Sequence, residues 1–198
     1  MSVENNTNSF GGGFASPPID AAHGFRAAMN AMARPGTIQA ITGAVPPAGI
    51  SAAAGTLLLT LCDPETGVYL APDADSVALR EWLAFHTGAP IVSADAADFA
   101  LGSWAALMPL DQYRIGTAEY PDRSTTLIVE MADFGTANAS LSGPGIKDVA
   151  TLALPDAAAC LAACQGNAML YPLGVDFFFT SGSELAALPR STKISAKD

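Results

Sequence analysis

Charged side chains are scarce in this chain. Asp, Glu, Lys and Arg make up 14% of its 198 residues, against roughly a quarter in ordinary globular domains. Basic residues are the scarcer kind, since nine Lys and Arg stand against 19 Asp and Glu, giving a formal net charge of −10. The nine are scattered, whereas nucleic-acid binding needs clustered cations. The composition therefore excludes nucleic acid as a partner and disfavours binding to an anionic membrane surface.

Long hydrophobic runs and paired cysteines are also missing. No stretch of about 18 uninterrupted apolar residues exists, so no transmembrane helix is expected. Residues 1–13 lack the basic and apolar regions of a secretory signal. Three cysteines are an odd number, which argues against a disulfide framework and favours a reducing, cytoplasmic location.

Half of the residues are apolar, and two explanations fit this composition. One is a large protein–protein interface; the other is the abundance of alanine. The length suits one ordinary domain. We therefore expect a disordered N-terminal tail (residues 1–16), a single α/β domain (17–192) and a C-terminal tail (193–198).

Three helices are predicted in the first half of the chain. The first runs from Pro18 to Ala33, with Ala22, Phe25, Met29 and Met32 as its buried stripe. The second (48–61) is apolar nearly all round and should be central. The third begins at an Asp75 N-cap and ends near Thr87.

Strands are predicted throughout and cluster in the second half. They lie at residues 37–42, 68–70, 91–92, 99–101, 125–131, 137–141, 173–180 and 185–188, with a helical turn in 103–112 and a short helix over 156–165. This order predicts an α/β fold in which a mixed β-sheet carries helices on both faces.

The first candidate site is a polar stripe on the first helix. His23, Arg26, Asn30 and Arg34 fall within about 80° of one another at helical spacing. Two guanidinium groups and an imidazole could bind phosphate or phosphonate oxygens. The alternative is an ordinary solvated face.

His86 is the second candidate, because it falls on the apolar side of its helix near the C-terminal end. It could be a catalytic base tuned by burial and the helix dipole. The alternative is a hydrogen-bonded core histidine. No Ser, Cys or Asp partner lies nearby in sequence, so a catalytic triad is not indicated.

The third candidate is Asp176, the single charge in an apolar strand. A buried carboxylate needs a partner or a shifted pKa, and Arg190 is the plausible partner. The pair could be a functional site or a structural ion pair.

Cysteine and lysine chemistry is not indicated. Cys160 and Cys164 are one helical turn apart but lack further metal ligands, and Cys62 stands alone, so all three are expected to be buried packing residues. Lys147, Lys193 and Lys197 lack the apolar setting of a Schiff-base lysine. A pyridoxal phosphate enzyme is therefore disfavoured, and no cofactor or metal is expected.

An ordered series of motifs resembles the PhnH family, the H subunit of the bacterial carbon–phosphorus lyase system. The segments are Phe25-Arg26, Met32-Ala33-Arg34-Pro35-Gly36, Leu57-Leu58-Leu59-Thr60-Leu61-Cys62-Asp63, Phe85-His86-Thr87-Gly88-Ala89-Pro90, Gly143-Pro144-Gly145-Ile146, Pro172-Leu173-Gly174-Val175-Asp176 and Pro189-Arg190-Ser191-Thr192. Each motif alone is weak, but their order across residues 18–192 is specific.

The resemblance implies a role, a fold and a set of partners. Family members act in organic phosphonate catabolism with G, I, J, K and L subunits, at the stage that forms α-D-ribose 1-phosphonate 5-triphosphate from a phosphonate and a nucleoside triphosphate. They resemble pyridoxal-phosphate-dependent transferases in fold, without the cofactor, and form homodimers. The resemblance supplies no catalytic residue.

Two functional hypotheses remain open. The chain is either an accessory subunit of the carbon–phosphorus lyase core complex, or a ligand-binding or catalytic subunit that acts directly on a phosphorylated or phosphonylated ribose or nucleotide. The second requires His23, Arg26, Arg34, His86, Asp176 and Arg190 to form a candidate anion site.

Overall fold

The computed structural model describes residues 10–197. In this range the chain forms α1 (Pro17–Ala33), β1 (Gln39–Ala40), α2 (Ala52–Leu61), β2 (Val68–Leu70), α3 (Val77–His86), β3 (Phe99–Ser103), α4 (Trp104–Leu107), β4 (Thr126–Glu130), β5 (Ala139–Ser142), β6 (Ala150–Leu152), α5 (Ala157–Ala168), β7 (Asp176–Ser181), β8 (Glu184–Leu188) and β9 (Lys193–Ala196). Within the same range, no helix combines the length and hydropathy needed to cross a bilayer.

A six-stranded mixed sheet lies at the centre of the fold. Its strand order is β1-β8-β7-β4-β3-β2. The strands β2, β3, β4 and β7 are parallel, whereas β8 runs antiparallel to β7 and β1 runs antiparallel to β8. The predicted mixed α/β sheet is therefore confirmed.

Alternating side chains of the central strands build a core on each face of the sheet. Ile128 of β4 packs in the cluster formed with α1, α2 and α3. Its neighbours Leu127 and Val129 pack in the opposite cluster, which contains Cys160 of α5 and Leu141 of β5. Since successive residues of a strand point to opposite faces, one apolar strand supplies both cores, and helices cover both faces as predicted.

A second, three-stranded antiparallel sheet has the order β6-β5-β9. Its strand β9 occupies most of the segment expected to be a C-terminal tail (193–198). Ile194 pairs with Leu141 and is only 8% exposed. The folded domain therefore continues beyond residue 192, because one apolar residue between polar neighbours is enough to anchor an edge strand.

The face of α1 that is buried differs from the predicted one. The structure buries Gly24, Ala28 and Ala31, while Phe25 is 55% exposed and Met29 is 50% exposed. A Cβ atom on Gly24 would lie 2.4 Å from Oγ1 of Thr60. The helix thus turns its smallest residues towards α2, so that the two backbones approach closely, and the predicted apolar stripe is wrong.

The helices α2 and α3 begin at serine caps. The hydroxyl of Ser51 accepts the N–H of Ala54 at 3.0 Å, so α2 starts at Ala52 rather than residue 48. Ser76, not Asp75, caps α3 by accepting the N–H of Leu79 at 3.2 Å. Asp75 instead pairs with Arg80.

Several strand boundaries also differ from the prediction. The segment 37–42 reduces to the two residues of β1, and Ile91 forms only an isolated bridge to Val68. The strand β7 starts at Asp176 rather than residue 173, and α5 extends to Ala168. These differences concern element ends, where capping and turn geometry outweigh the apolar pattern.

Part of the expected N-terminal tail packs against the domain. Residues 1–9 lie outside the described residues. The carbonyl of Gly11 accepts the indole N–H of Trp82 at 3.0 Å, and the carbonyl of Gly12 accepts the N–H of Val45 at 2.8 Å. Residues 10–16 are thereby attached to α3 and to the loop before α2.

Candidate functional site

The polar stripe of α1 lies on the outside of the fold. His23, Arg26 and Arg34 are exposed and Asn30 is half-buried. At about 100° per residue, these side chains face away from the buried Gly24 and Ala28. The stripe is therefore a surface accessible to macromolecules.

His86 sits at the C-terminal end of α3 and contacts the N-terminal segment. Its Nε2 is 3.0 Å from the carbonyl oxygen of Gly11, and its ring packs edge-on against Trp82 and Phe85, with centroid distances of 5.1 and 4.9 Å. A Cβ on Gly13 would lie 2.5 Å from the imidazole. This half-buried histidine has a structural role in fastening residues 11–13.

A cavity of about 370 Å³ adjoins His86. Phe10, Phe14 and Leu59 contribute to its wall, as do Pro17 and Ala21 from the first turns of α1. No Lys or Arg lies among these wall residues, so the cavity does not offer the cations that a phosphorylated ligand needs.

Asp176 and Arg190 form the predicted ion pair. The guanidinium Nε donates to Oδ1 of Asp176 at 3.1 Å, and a terminal nitrogen donates to Oδ2 at 2.5 Å. The backbone N–H of Arg190 also donates to Oδ1 at 2.8 Å. The pair is mostly buried, since the two side chains are 12% and 22% exposed.

The remaining donors of Arg190 are used within the protein. One terminal nitrogen donates to the carbonyl of Pro121 at 2.8 Å, and the other also contacts the hydroxyl of Ser124. A cavity of about 410 Å³ lies beside the pair, with Asp122 and Tyr171 in its wall. The guanidinium is already neutralised and the wall also holds the carboxylate of Asp122, so this cavity is poorly suited to an anion.

The six candidates occupy three places in the structure. Asp176 and Arg190 are in direct contact, whereas the His86 cavity and the Asp176 cavity share no wall residue. His23 and Arg26 lie along the outer surface of α1, and Arg34 follows its last residue. No contact between these three groups is seen in the described residues. The six side chains therefore do not form a single anion site.

A crevice of about 510 Å³ was not anticipated from the sequence. It lies at the carboxyl ends of β3 and β4, the edge at which open α/β sheets bind ligands. Polar residues in its wall are Ser103, Glu130, Asp133, Thr136, Asn138 and Asp156. The available signal was Glu130, a carboxylate next to the last residue of the strand predicted at 125–131.

Glu130 is the acid of this crevice whose pKa is shifted from its usual value. Its Oε1 accepts the N–H of Ser51 at 2.8 Å. Burial raises the pKa of Glu130, while hydrogen bonds from Ser51 and Thr180 act in the opposite direction. With Asp133 and Asp156 in the same wall, the crevice repels phosphate oxygens and suits hydroxyl or amine groups.

The cysteines are packing residues, as predicted. All three are free and buried. The Sγ atoms of Cys160 and Cys164 are 4.0 Å apart inside α5, and burial raises the pKa of Cys62 to about 12. Such thiols are poor nucleophiles. Across residues 10–197, no group of three His, Cys, Asp or Glu is placed to hold a metal ion.

Comparison with known proteins identifies the family. A family model described as "Bacterial phosphonate metabolism protein (PhnH)" matches residues 12–195. The chain belongs to the PhnH family. The resemblance seen in the sequence motifs is thereby confirmed, and the PhnH match includes both Gly12 and most of β9.

Two relatives extend this assignment over nearly the whole chain. The "Alpha-D-ribose 1-methylphosphonate 5-triphosphate synthase subunit PhnH" of Rhizobium meliloti (strain 1021) is 40% identical over 192 residues, covering 93% of this chain and 95% of the relative. The "Putative C-P lyase subunit protein HtxG" of Stutzerimonas stutzeri is 31% identical over 177 residues, covering 87% and 85%.

Proposed function

We propose that this PhnH-family chain is an accessory subunit of an α-D-ribose 1-methylphosphonate 5-triphosphate synthase in the carbon–phosphorus lyase pathway. Its stage is the one that forms α-D-ribose 1-phosphonate 5-triphosphate from a phosphonate and a nucleoside triphosphate. The observation that carries the proposal is the 40% identity to a subunit of that synthase across 93% of this chain.

The side-chain geometry supports an accessory rather than a catalytic role. Arg190, one of the three arginines in the candidate anion site, is bound to Asp176, Pro121 and Ser124. His86 is bound to the carbonyl of Gly11. Two of the groups best able to act on a phosphonate are thus engaged in holding the fold together, which leaves bond-making to other subunits.

The proposal includes partners and location. It places the chain in the cytoplasm as a homodimer that assembles with G, I, J, K and L type subunits. It also assigns the domain to the transferase fold of pyridoxal phosphate enzymes without the cofactor. In support, the sheet is mixed, and Lys147, Lys193 and Lys197 are all exposed, unlike a Schiff-base lysine.

Gene deletion and co-purification test the proposal together. Removing the chain from its host should abolish growth on methylphosphonate as sole phosphorus source, while growth on phosphate continues. A tagged copy expressed with the other synthase subunits should co-purify with them. Normal growth on methylphosphonate, or a tagged chain that remains alone, would count against an accessory subunit.

The alternative is a subunit that binds a phosphorylated ribose or nucleotide directly. The crevice at the ends of β3 and β4 favours the ribose part of such a ligand, because Glu130 and Asp133 could accept hydrogen bonds from its hydroxyls, whereas the phosphates would have to lie outside the acidic wall. Calorimetry with a nucleoside triphosphate decides between the two: heat that disappears in a Glu130→Gln variant supports the alternative. The absence of heat at millimolar ligand would remove it.

A further inference from the structure

The outer face of α1 exposes large apolar side chains in a continuous arc. We define this face by Ile19, Ala22, Phe25, Arg26 and Met29. Ile19 is 57% exposed, Phe25 is 55% exposed and Met29 is 50% exposed. At helical spacing these positions lie on adjacent turns, so the apolar surface runs along the helix.

The side-chain sizes on the two faces of α1 are the reverse of those in a usual amphipathic helix. The residues that α1 turns inward are Gly24, Ala28 and Ala31, whereas its largest apolar residues face outward. A helix that only needed to cover the sheet would bury Phe25 and Met29. Contiguous exposed apolar surface of this kind marks an interaction site, so the outer face is expected to be covered by a partner.

A cationic rim borders the apolar arc. His23 and Arg26 are exposed along α1, and Arg34 is exposed at the residue that follows the helix. The acidic residue of α1, Asp20, lies in the first turn, where its Oδ2 accepts the N–H of Ser16 at 2.7 Å. The rim therefore keeps a positive character on a protein whose net charge is −10.

Other arginines in the described residues do not form such a rim. Arg80, Arg114 and Arg190 each pair with an aspartate, and Arg123 lies over the ring of Tyr120. The outer face of α1 is thus a local positive surface, and its charge determines which partner fits. A second copy docking by the same face about a two-fold axis would place like charges together, whereas carboxylates opposite Arg26 and Arg34 would attract.

We propose that the outer face of α1 docks onto a different subunit of the synthase, at a surface that combines apolar side chains with carboxylates. Phe25 and Met29 supply the apolar contact, while Arg26 and Arg34 orient the partner and repel a second copy that docks by the same face. This inference rests on the proposed function, because it needs other subunits to bind. It goes further by assigning the contact to one helix.

Binding of wild-type and substituted chains to the purified remaining subunits tests the assignment. The double substitution Phe25→Ser with Met29→Ser should raise the dissociation constant about 100-fold, as expected for the loss of two buried interface anchors. Arg26→Glu with Arg34→Glu should raise the dissociation constant at least tenfold, and added salt should then tighten binding, because it screens the new repulsion between carboxylates. Circular dichroism should be unchanged, because all four side chains are already exposed.

Two matched controls lie elsewhere on the described chain. Met169 is 87% exposed after α5, and α5 packs in the core opposite to α1; Met169→Ser should leave binding unchanged. Lys197 is exposed beyond β9, and Lys197→Glu controls for the change in net charge. Equal loss of binding in the controls would overturn the assignment.

The remaining outcomes separate this inference from the proposed function. If the wild-type chain binds and the α1 variants bind equally well, the outer face is not the contact, although the accessory role stands. If the isolated chain is a dimer that the Phe25 and Met29 substitutions dissociate without affecting subunit binding, a second copy is the occupant and the inference is wrong. A wild-type chain that binds no subunit contradicts both.

Discussion

Arg190 and Asp176 are joined through two side-chain hydrogen bonds and one backbone hydrogen bond, which tie the end of β8 to the start of β7. The same guanidinium reaches Pro121 and Ser124 in the loop before β4. The side chain of Arg190 thereby links three neighbouring strands, β8, β7 and β4, at one end of the sheet. Its geometry explains how a charge can occupy the start of an otherwise apolar strand.

Replacing Arg190 with Ala should destabilise the protein by about 3 kcal/mol, because the carboxylate of Asp176 is left mostly buried without its partner. Urea unfolding followed by circular dichroism measures the change. Arg80→Ala is the matched control, since Arg80 also pairs with an aspartate but is largely exposed, and it should have little effect. Equal effects of the two substitutions would contradict a structural role for the buried pair.

Gly24 and Gly166 should respond in opposite ways to alanine. A Cβ on Gly24 would lie 2.4 Å from Thr60 Oγ1, whereas nothing lies within 4 Å of a Cβ on Gly166. Both residues are inside helices. Gly166→Ala should therefore stabilise the protein by about 0.5–1 kcal/mol through helix propensity.

Gly24→Ala should destabilise it, because α1 must move away from α2. Thermal unfolding of the two variants, compared under identical conditions, measures the difference. Stabilisation by both substitutions would show that α1 and α2 can separate without cost.

Glu130→Gln should stabilise the protein at neutral pH. Burial raises the pKa of Glu130, so the folded state binds its proton more tightly than the unfolded state does. That contribution is present at pH below the unfolded pKa of about 4.3 and is lost as pH rises through the folded pKa.

The stability difference between the Gln variant and the wild type should therefore grow as pH increases above that range. Urea unfolding at a series of pH values measures it. Gln can still accept the N–H of Ser51, which isolates the charge effect. A difference that is constant with pH would rule out titration of Glu130 as its source.

His86→Phe should loosen the N-terminal segment without unfolding the domain. The ring contacts with Trp82 and Phe85 can persist, but the hydrogen bond to the carbonyl of Gly11 is lost. Hydrogen exchange of the Val45 amide, which donates to the carbonyl of Gly12, should become faster, while exchange in α2 stays unchanged. Unaltered exchange at Val45 would show that Trp82 alone fastens the segment.

The sequence was most informative where the apolar pattern was continuous. The strand β4 was predicted because residues 125–131 are apolar and β-branched, and its burial on both faces follows from its central place between β3 and β7. The contact between Asp176 and Arg190 could be predicted because a lone carboxylate in an apolar strand requires a partner. Both inferences rest on large free-energy terms that can be recognised in a short segment: burial of apolar side chains in the first case and pairing of a buried carboxylate in the second.

The face that α1 buries could not be predicted from the apolar pattern of its sequence. Hydrophobicity ranks Phe25 and Met29 above Gly24 and Ala28, yet close packing against α2 favours the smaller residues. Likewise, β9 depends on Ile194 finding Leu141 across the second sheet, and the crevice containing Glu130 and Asp156 depends on strand ends that meet only in space. These features follow from tertiary contacts rather than from spacing.

The packing of the earliest helices on the latest strands has a consequence for biosynthesis. The helix α1 packs against β8, and the N–H of Ala53 at the start of α2 donates to the carbonyl of Gly182 in the turn between β7 and β8. Leu57 and Leu58 share their core with Phe178 and Leu185, so this part of the core cannot be completed until β7 and β8 have emerged from the ribosome. A nascent chain paused before residue 182 should be a client for chaperones that bind apolar segments.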